Sequence, residues 1–143
     1  MKSLGFIVLT AVVALALNTL PEDPFLAGIP LGADADAVLA AMNDGGYEVR
    51  ESSDVLVVGV RGDERLEYRF SGGAPTFARY TLERAASTLP ADGLEGWERR
   101  IEGVWGAPAA VSVEGSKLWL IPDLYSIALH AEGTELVVTV RWL

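Results

Sequence analysis

This 143-residue sequence predicts an α+β fold, with two helices packed on one face of about eight antiparallel strands and the whole arranged as two similar halves. Three observations carry that prediction. Leu66, Tyr68 and Phe70 alternate with Glu67, Arg69 and Ser71, the period of two expected of a strand with one dry face and one wet face. Ala35, Val38, Leu39 and Met42 fall at i, i+3, i+4 and i+7, the stripe of an amphipathic helix, and Leu94, Trp97, Ile101, Val104 and Trp105 form a second stripe. After each helical stretch come four short strand-like stretches separated by turn residues, so the order of helix followed by four strands occurs twice.

Taken in chain order, the first element is Lys2 followed by an unbroken apolar run from Leu4 to Leu17, with Ala14-Leu15-Ala16 matching a small-x-small cleavage site. Residues 1–16 therefore read as a secretory signal peptide with the mature chain beginning at Leu17, the alternative being an uncleaved membrane anchor. No cysteine is present, which excludes lipidation at a cleavage-site cysteine, disulfides, a thiol nucleophile and cysteine-bound metals. Residues 17–24, with two prolines and two acids, read as a flexible, exposed leader, and residues 25–143 as a single domain with halves at about 25–86 and 87–143.

Pro30 keeps Ile29 out of helical geometry, Asp34 caps the first helix, and Gly45-Gly46 stops it. A strand near Tyr47 to Glu51 leads into a three-strand meander from Val55 to Leu82, turning at Arg61-Gly62-Asp63-Glu64 and Ser71-Gly72-Gly73-Ala74. Leu89-Pro90-Ala91-Asp92 opens the second helix with Asp92 as its cap, and Gly106 and Pro108 close it. Four strands are expected around Ala109 to Val113, Lys117 to Ile121, Tyr125 to Ala131 and Glu135 to Trp142. Matching the halves needs an offset of 59 for the helices, 61 for the third strands and 60 for the fourth, an architectural echo that leaves true duplication open.

IPLGADADAVLAAM and WERRIEGVWGAP, which open one helix and close the other, resemble motifs of small exported bacterial helix-plus-sheet modules. Such modules include the β-lactamase-inhibitor-protein-like domains and the small lipoprotein of the outer-membrane assembly machinery. The resemblance implies a helix-on-sheet fold used for protein contacts and supplies no catalytic residue; the lipidated cysteine of the lipoprotein members has no counterpart here.

The charge narrows the function classes. With 11 Lys and Arg against 20 Asp and Glu the chain carries −9, and removal of Lys2 with residues 1–16 leaves −10. That balance repels nucleic-acid phosphate. His130, the only histidine, alternates outward between Leu129 and Ala131, with Glu135 near it if Glu132-Gly133 forms a turn, and reads as a surface histidine. The carboxylates Asp34, Asp36, Asp63, Glu64, Glu67, Asp92, Glu95, Glu132 and Glu135 are expected at helix starts and turns, where capping and solubility account for them. Trp97 and Trp105 read as core anchors; Trp119 and Trp142 suit either a sheet rim or a binding surface.

No catalytic, metal or cofactor motif stands out, so the reading is a non-enzymatic binding module of the bacterial periplasm or cell exterior, facing a protein partner with its open sheet face. A carrier for a small apolar ligand between helices and sheet, or a hydrolase with a site outside the known motifs, are the alternatives. The candidate face follows from the hairpin at Gly72-Gly73. A three-residue loop sets Glu67 opposite Arg79 and Arg69 opposite Phe77, whereas a five-residue loop opposes Arg69 and Arg79, two like charges. The first register gathers Arg69, Phe77 and Arg79 on the outward face, with Val57 beside them if it points away from the helices.

Overall fold

A computed structural model describes residues 22–83, 94–132 and 135–143. The expected signal peptide, most of the expected leader, the expected Asp92 cap, and Gly133 lie outside the described residues.

Helix α1 (Ala35–Asp44) forms where its stripe predicts, with Asp34 Oδ1 accepting the Ala37 N–H at 2.9 Å and Gly45 at the far end. Val38 and Met42 are fully buried and Ala35 and Leu39 half-buried. Helix α2 (Leu94–Trp105) buries Trp97 and Ile101. Val104, expected on the same stripe, is 56% exposed. It lies at the edge of the stripe and borders a cleft beside Glu22 and Asp23, while Trp105 packs on Tyr125 of the sheet.

The strands are β1 (Glu48–Ser52), β2 (Leu56–Arg61), β3 (Glu64–Ser71), β4 (Ala74–Leu82), β5 (Ala110–Val111), β6 (Lys117–Ile121), β7 (Tyr125–Glu132) and β8 (Glu135–Trp142). β5 is shorter than the expected Ala109 to Val113, because Ser112 turns back on Ser116 within a Gly115 turn. All eight strands join in one antiparallel sheet of order β1-β2-β3-β4-β8-β7-β6-β5. Each half is a four-strand meander, and the halves meet where the last strand of one pairs with the last strand of the other. That palindromic order is the three-dimensional form of the repeated helix-and-four-strand pattern.

Both helices pack on one face of the sheet, α1 over β1 to β3 and α2 over β7. The core lies between them: Leu66, Tyr68, Ala78, Tyr80, Ile127, Leu129, Val138 and Val140 from the sheet meet Val38, Met42, Trp97 and Ile101 from the helices. Gly59 sits directly under α1, where a Cβ would stand 2.8 Å from Met42 Sδ; the bare backbone lets the helix approach the sheet. Trp119 is 2% exposed, its Nε1 donating to Gly106 O at 2.9 Å, and Trp142 packs half-buried against Tyr125. Both belong to the core side, which removes the binding-surface reading for them.

The segment ahead of α1 corrects the expected leader boundary. Asp23 is buried rather than exposed, its backbone N–H reaching Ile29 O and its Oδ1 accepting the Phe25 N–H at 2.6 Å. This local turn folds residues 22–31 into a strap whose Phe25, Leu26 and Leu31 are buried. Phe25 lies among Tyr68, Tyr80 and Trp97, with ring centroids 6.0–6.3 Å away.

Candidate binding face

Because both described helices cover one side, the residues alternating with the core positions form a face that is free of helix among the described residues. The strand register sets its rows. Glu51, Val58, Glu67, Arg79, Thr139, Ala128, Leu118 and Ala110 lie across the strands in one line. Leu56, Arg69, Phe77, Arg141, Ser126 and Leu120 form the next.

The expected β3/β4 pairing is present, with Glu67 opposite Arg79 and Arg69 opposite Phe77. The loop itself differs: Ser71 pairs with Ala74 across the two residues Gly72 and Gly73, both at positive φ (59° and 81°), and a bulge beyond Arg69 restores the register. Two adjacent positive φ values suit the right-handed strand twist, which favours the tight turn over a three-residue loop.

Val57 does not join this face. Paired with Tyr68, it points toward the helices and is 1% exposed. The register of β2 puts Val58 outward in its place, flanked by Glu67 and Glu51. Val58 is itself buried, shielded by the long side chains around it.

At the centre stands Phe77, half-buried, with three guanidinium groups over its ring: Arg69 at 5.4 Å, Arg79 at 5.3 Å and Arg141 at 5.1 Å from the centroid. Arg65 belongs to the same face. Glu67 accounts for two of these arginines, at 3.2 Å from Arg69 and 3.8 Å from Arg65. Arg79 and Arg141 take part in no ion pair among the described residues. Four of the chain's 11 basic residues thus share one face with a single central carboxylate, in a molecule whose overall balance is −9.

Arg141 is the member that sequence reasoning missed. Its alternation with Val140 and Trp142 marks it as outward, but no local pattern says that β8 lies beside β4. The pairing of Phe77 with Arg141 is a long-range fact. Toward β5 the face becomes apolar, with Ala110, Leu118, Ala128 and His130 bordering a shallow bay of about 330 Å³. His130 is outward as expected; its cross-strand neighbour is Val137, and Glu135 lies two residues further along β8.

Two polar clusters lie elsewhere. Glu64 accepts from Arg61 Nε and from Tyr80 Oη, both at 2.7 Å, while Arg61 also donates to Gly45 O and lies over the Tyr47 ring. Burial pushes the Glu64 carboxyl up, but these hydrogen bonds and the Arg61 charge outweigh it, leaving a net downward shift. The Tyr80 hydroxyl is held well above its ordinary value by burial and by its bond to Glu64. This arrangement ties the α1 end to β2, β3 and β4, with its groups engaged with one another. The second cluster is Asp23, whose carboxyl is pushed up to about 7 by burial, against the lowering effect of the backbone N–H groups of Phe25 and Leu26. Asp23 Oδ2 has no hydrogen-bond partner among the described residues, and Asp23 borders a cleft of about 280 Å³ together with Glu22, Arg100, Ile101 and Trp105. Among the described residues no three acidic or histidine side chains converge to hold a metal, and no helix is long and apolar enough to cross a membrane.

Comparison with protein-family models, with curated proteins and with solved structures finds no match. The resemblance to exported helix-plus-sheet modules therefore rests on the sequence motifs alone.

Proposed function

We propose that this protein is an exported, non-enzymatic binding module of the bacterial envelope that meets a protein partner through its helix-free sheet face. The observation that carries the reading is the pair Arg79 and Arg141, without carboxylate partners among the described residues, stacked with Arg69 on Phe77 in an otherwise acidic chain. Folding gains little from concentrating like charges on an exposed sheet face, since cross-strand like charges repel. Arginine around a half-buried aromatic ring is the composition of interface hot spots, where planar guanidinium groups make bidentate bonds to partner carboxylates. The opposite side supports the same division of labour, with Phe25 filling the aromatic centre between helices and sheet.

The test is capture from an envelope fraction by the mature chain. Arg79→Glu with Arg141→Glu is expected to lower the amount of specifically captured partner by at least roughly tenfold, as for loss of about 1.4 kcal/mol or more. The thermal midpoint should change little, because both side chains are exposed. Undiminished capture by a folded variant would remove the sheet face from consideration. Export has its own check: intact-mass measurement on secreted material is expected to show a chain beginning at Leu17, and a membrane-bound chain retaining Met1 would favour the anchor.

A further inference from the structure

The face has two chemically different parts, Arg79 sharing a cross-strand line with Ala128, Leu118 and Ala110 while Arg141 stands on the adjacent line. Arg79 and Arg141 stand on the neighbouring strands β4 and β8, and the apolar bay lies over β7, β6 and β5. Resting on the binding reading above, we infer that the partner is recognised through an extended acidic segment laid across the strands, its carboxylates on Arg79 and Arg141 and an apolar side chain in the bay between Leu118, Ala128 and Ala110.

The spacing follows from the sheet. From midway between β4 and β8 to β6, at the middle of the bay, is two and a half strand spacings, roughly 12 Å, which an extended chain covers in about three to four residues. The recognised pattern is therefore a pair of Asp or Glu residues with a Leu, Ile or Phe about three to four positions away. The Arg79 and Arg141 guanidinium carbons lie 5.3 and 5.1 Å from the Phe77 ring centroid, and this contact limits the freedom the two side chains lose when they bind carboxylates.

Two competing occupants fit less well. A second copy docking the same face by two-fold symmetry would bring arginines against arginines. A nucleic acid gains from counterion release at many phosphates, whereas this face offers two arginines outside ion pairs within a chain of −9. An acidic peptide segment uses both parts of the face.

The experiment is selection of displayed random peptides of about twelve residues, long enough to cross the face, on the full mature chain. Enriched peptides are expected to carry two or more acidic residues with an apolar residue about three to four positions away and to bind less tightly as salt rises. They should lose roughly tenfold or more in affinity on Arg79→Glu/Arg141→Glu, and a smaller factor on Leu118→Gln. Arg79→Gln/Arg141→Gln serves if the reversed pair does not fold. Enriched peptides without acids, or acidic peptides that bind the arginine variants equally well, would overturn the inference. So would tighter binding of a single-stranded oligonucleotide of matched charge. The two levels separate cleanly: an envelope partner lost on arginine reversal, with no acidic peptide enriched, defeats the acidic-segment assignment and leaves the binding face standing. Capture indifferent to reversal defeats both.

Discussion

Trp97→Ala is expected to destabilise the protein by about 3 to 5 kcal/mol, a large share of the roughly 5 to 15 kcal/mol that a domain of this kind has in total. Trp97 is 3% exposed and joins three parts of the molecule. Its ring lies 4.8 Å from Tyr80 on the sheet and 6.0 Å from Phe25 on the strap, while Arg100 of its own helix lies 4.4 Å over it. Removing the indole leaves a cavity under α2 and strips Phe25 of one wall, so the loss exceeds the transfer term for the side chain alone. Chemical denaturation measures the difference, and hydrogen exchange adds a local readout, since the strap amides should exchange faster. The neighbouring Ile101→Ala, at a 1% exposed site one turn further on, should cost about 2 to 5 kcal/mol by the same mechanism. A loss below about 1 kcal/mol for either would mean that α2 is not clamped to the sheet as described.

The second large effect belongs to Asp23 and depends on pH. Burial raises its carboxyl from 3.8 to about 7, so between those values the folded chain keeps a proton that the unfolded chain releases. The stability tied to this proton is complete below about pH 4 and is lost as pH rises through about 7, on the order of 4 kcal/mol in all. Of the charged residues that border the same cleft, Glu22 comes from the strap and Arg100 from α2, and neither forms an ion pair with Asp23. Asp23→Asn keeps the acceptor for the Phe25 N–H and removes the ionisation, but leaves a buried amide donor without a partner. At about pH 8 the variant should be more stable than the parent by roughly 1 to 3 kcal/mol, and near pH 4 equal or slightly less stable. Thermal midpoints across that pH range decide the matter: parallel profiles for parent and variant would show that Asp23 does not titrate in the folded strap.

Much of the fold was legible because its signals are local. The α1 stripe, the Asp34 cap, the alternation through Leu66, Tyr68 and Phe70, and the Gly turns each depend on residues within a few positions of one another. The face was only partly legible. Glu67 opposite Arg79 and Arg69 opposite Phe77 followed from charge pairing in a hairpin, where the chain connection limits the choices to two registers. Val57 went astray because β2 is apolar at successive positions Val57 and Val58, so periodicity does not say which one faces the helices. The deciding contact is distant: Gly59 lies beneath Met42, which fixes the odd-numbered side of β2 against α1. Asp23 was misplaced for a related reason. An acid between prolines looks solvated, and only the burial of Phe25 and Leu26 beside it draws its carboxyl inside.

The sequence by itself determined the class of element at each place, the repeated order of helix and four strands, the outward set on β3 and β4, and the acidic balance of the chain. These are properties of periodicity, turn geometry and charge count, which act along the chain. The tertiary structure alone decided that β4 pairs with β8, so that Arg141 reaches Phe77 and joins Arg79. Strands in neighbouring hairpins find each other through the turn between them. β4 and β8 lie far apart in the chain and are held together by the shared core of Ala78, Tyr80, Val138 and Val140 beneath two helices, a packing that no local pattern encodes.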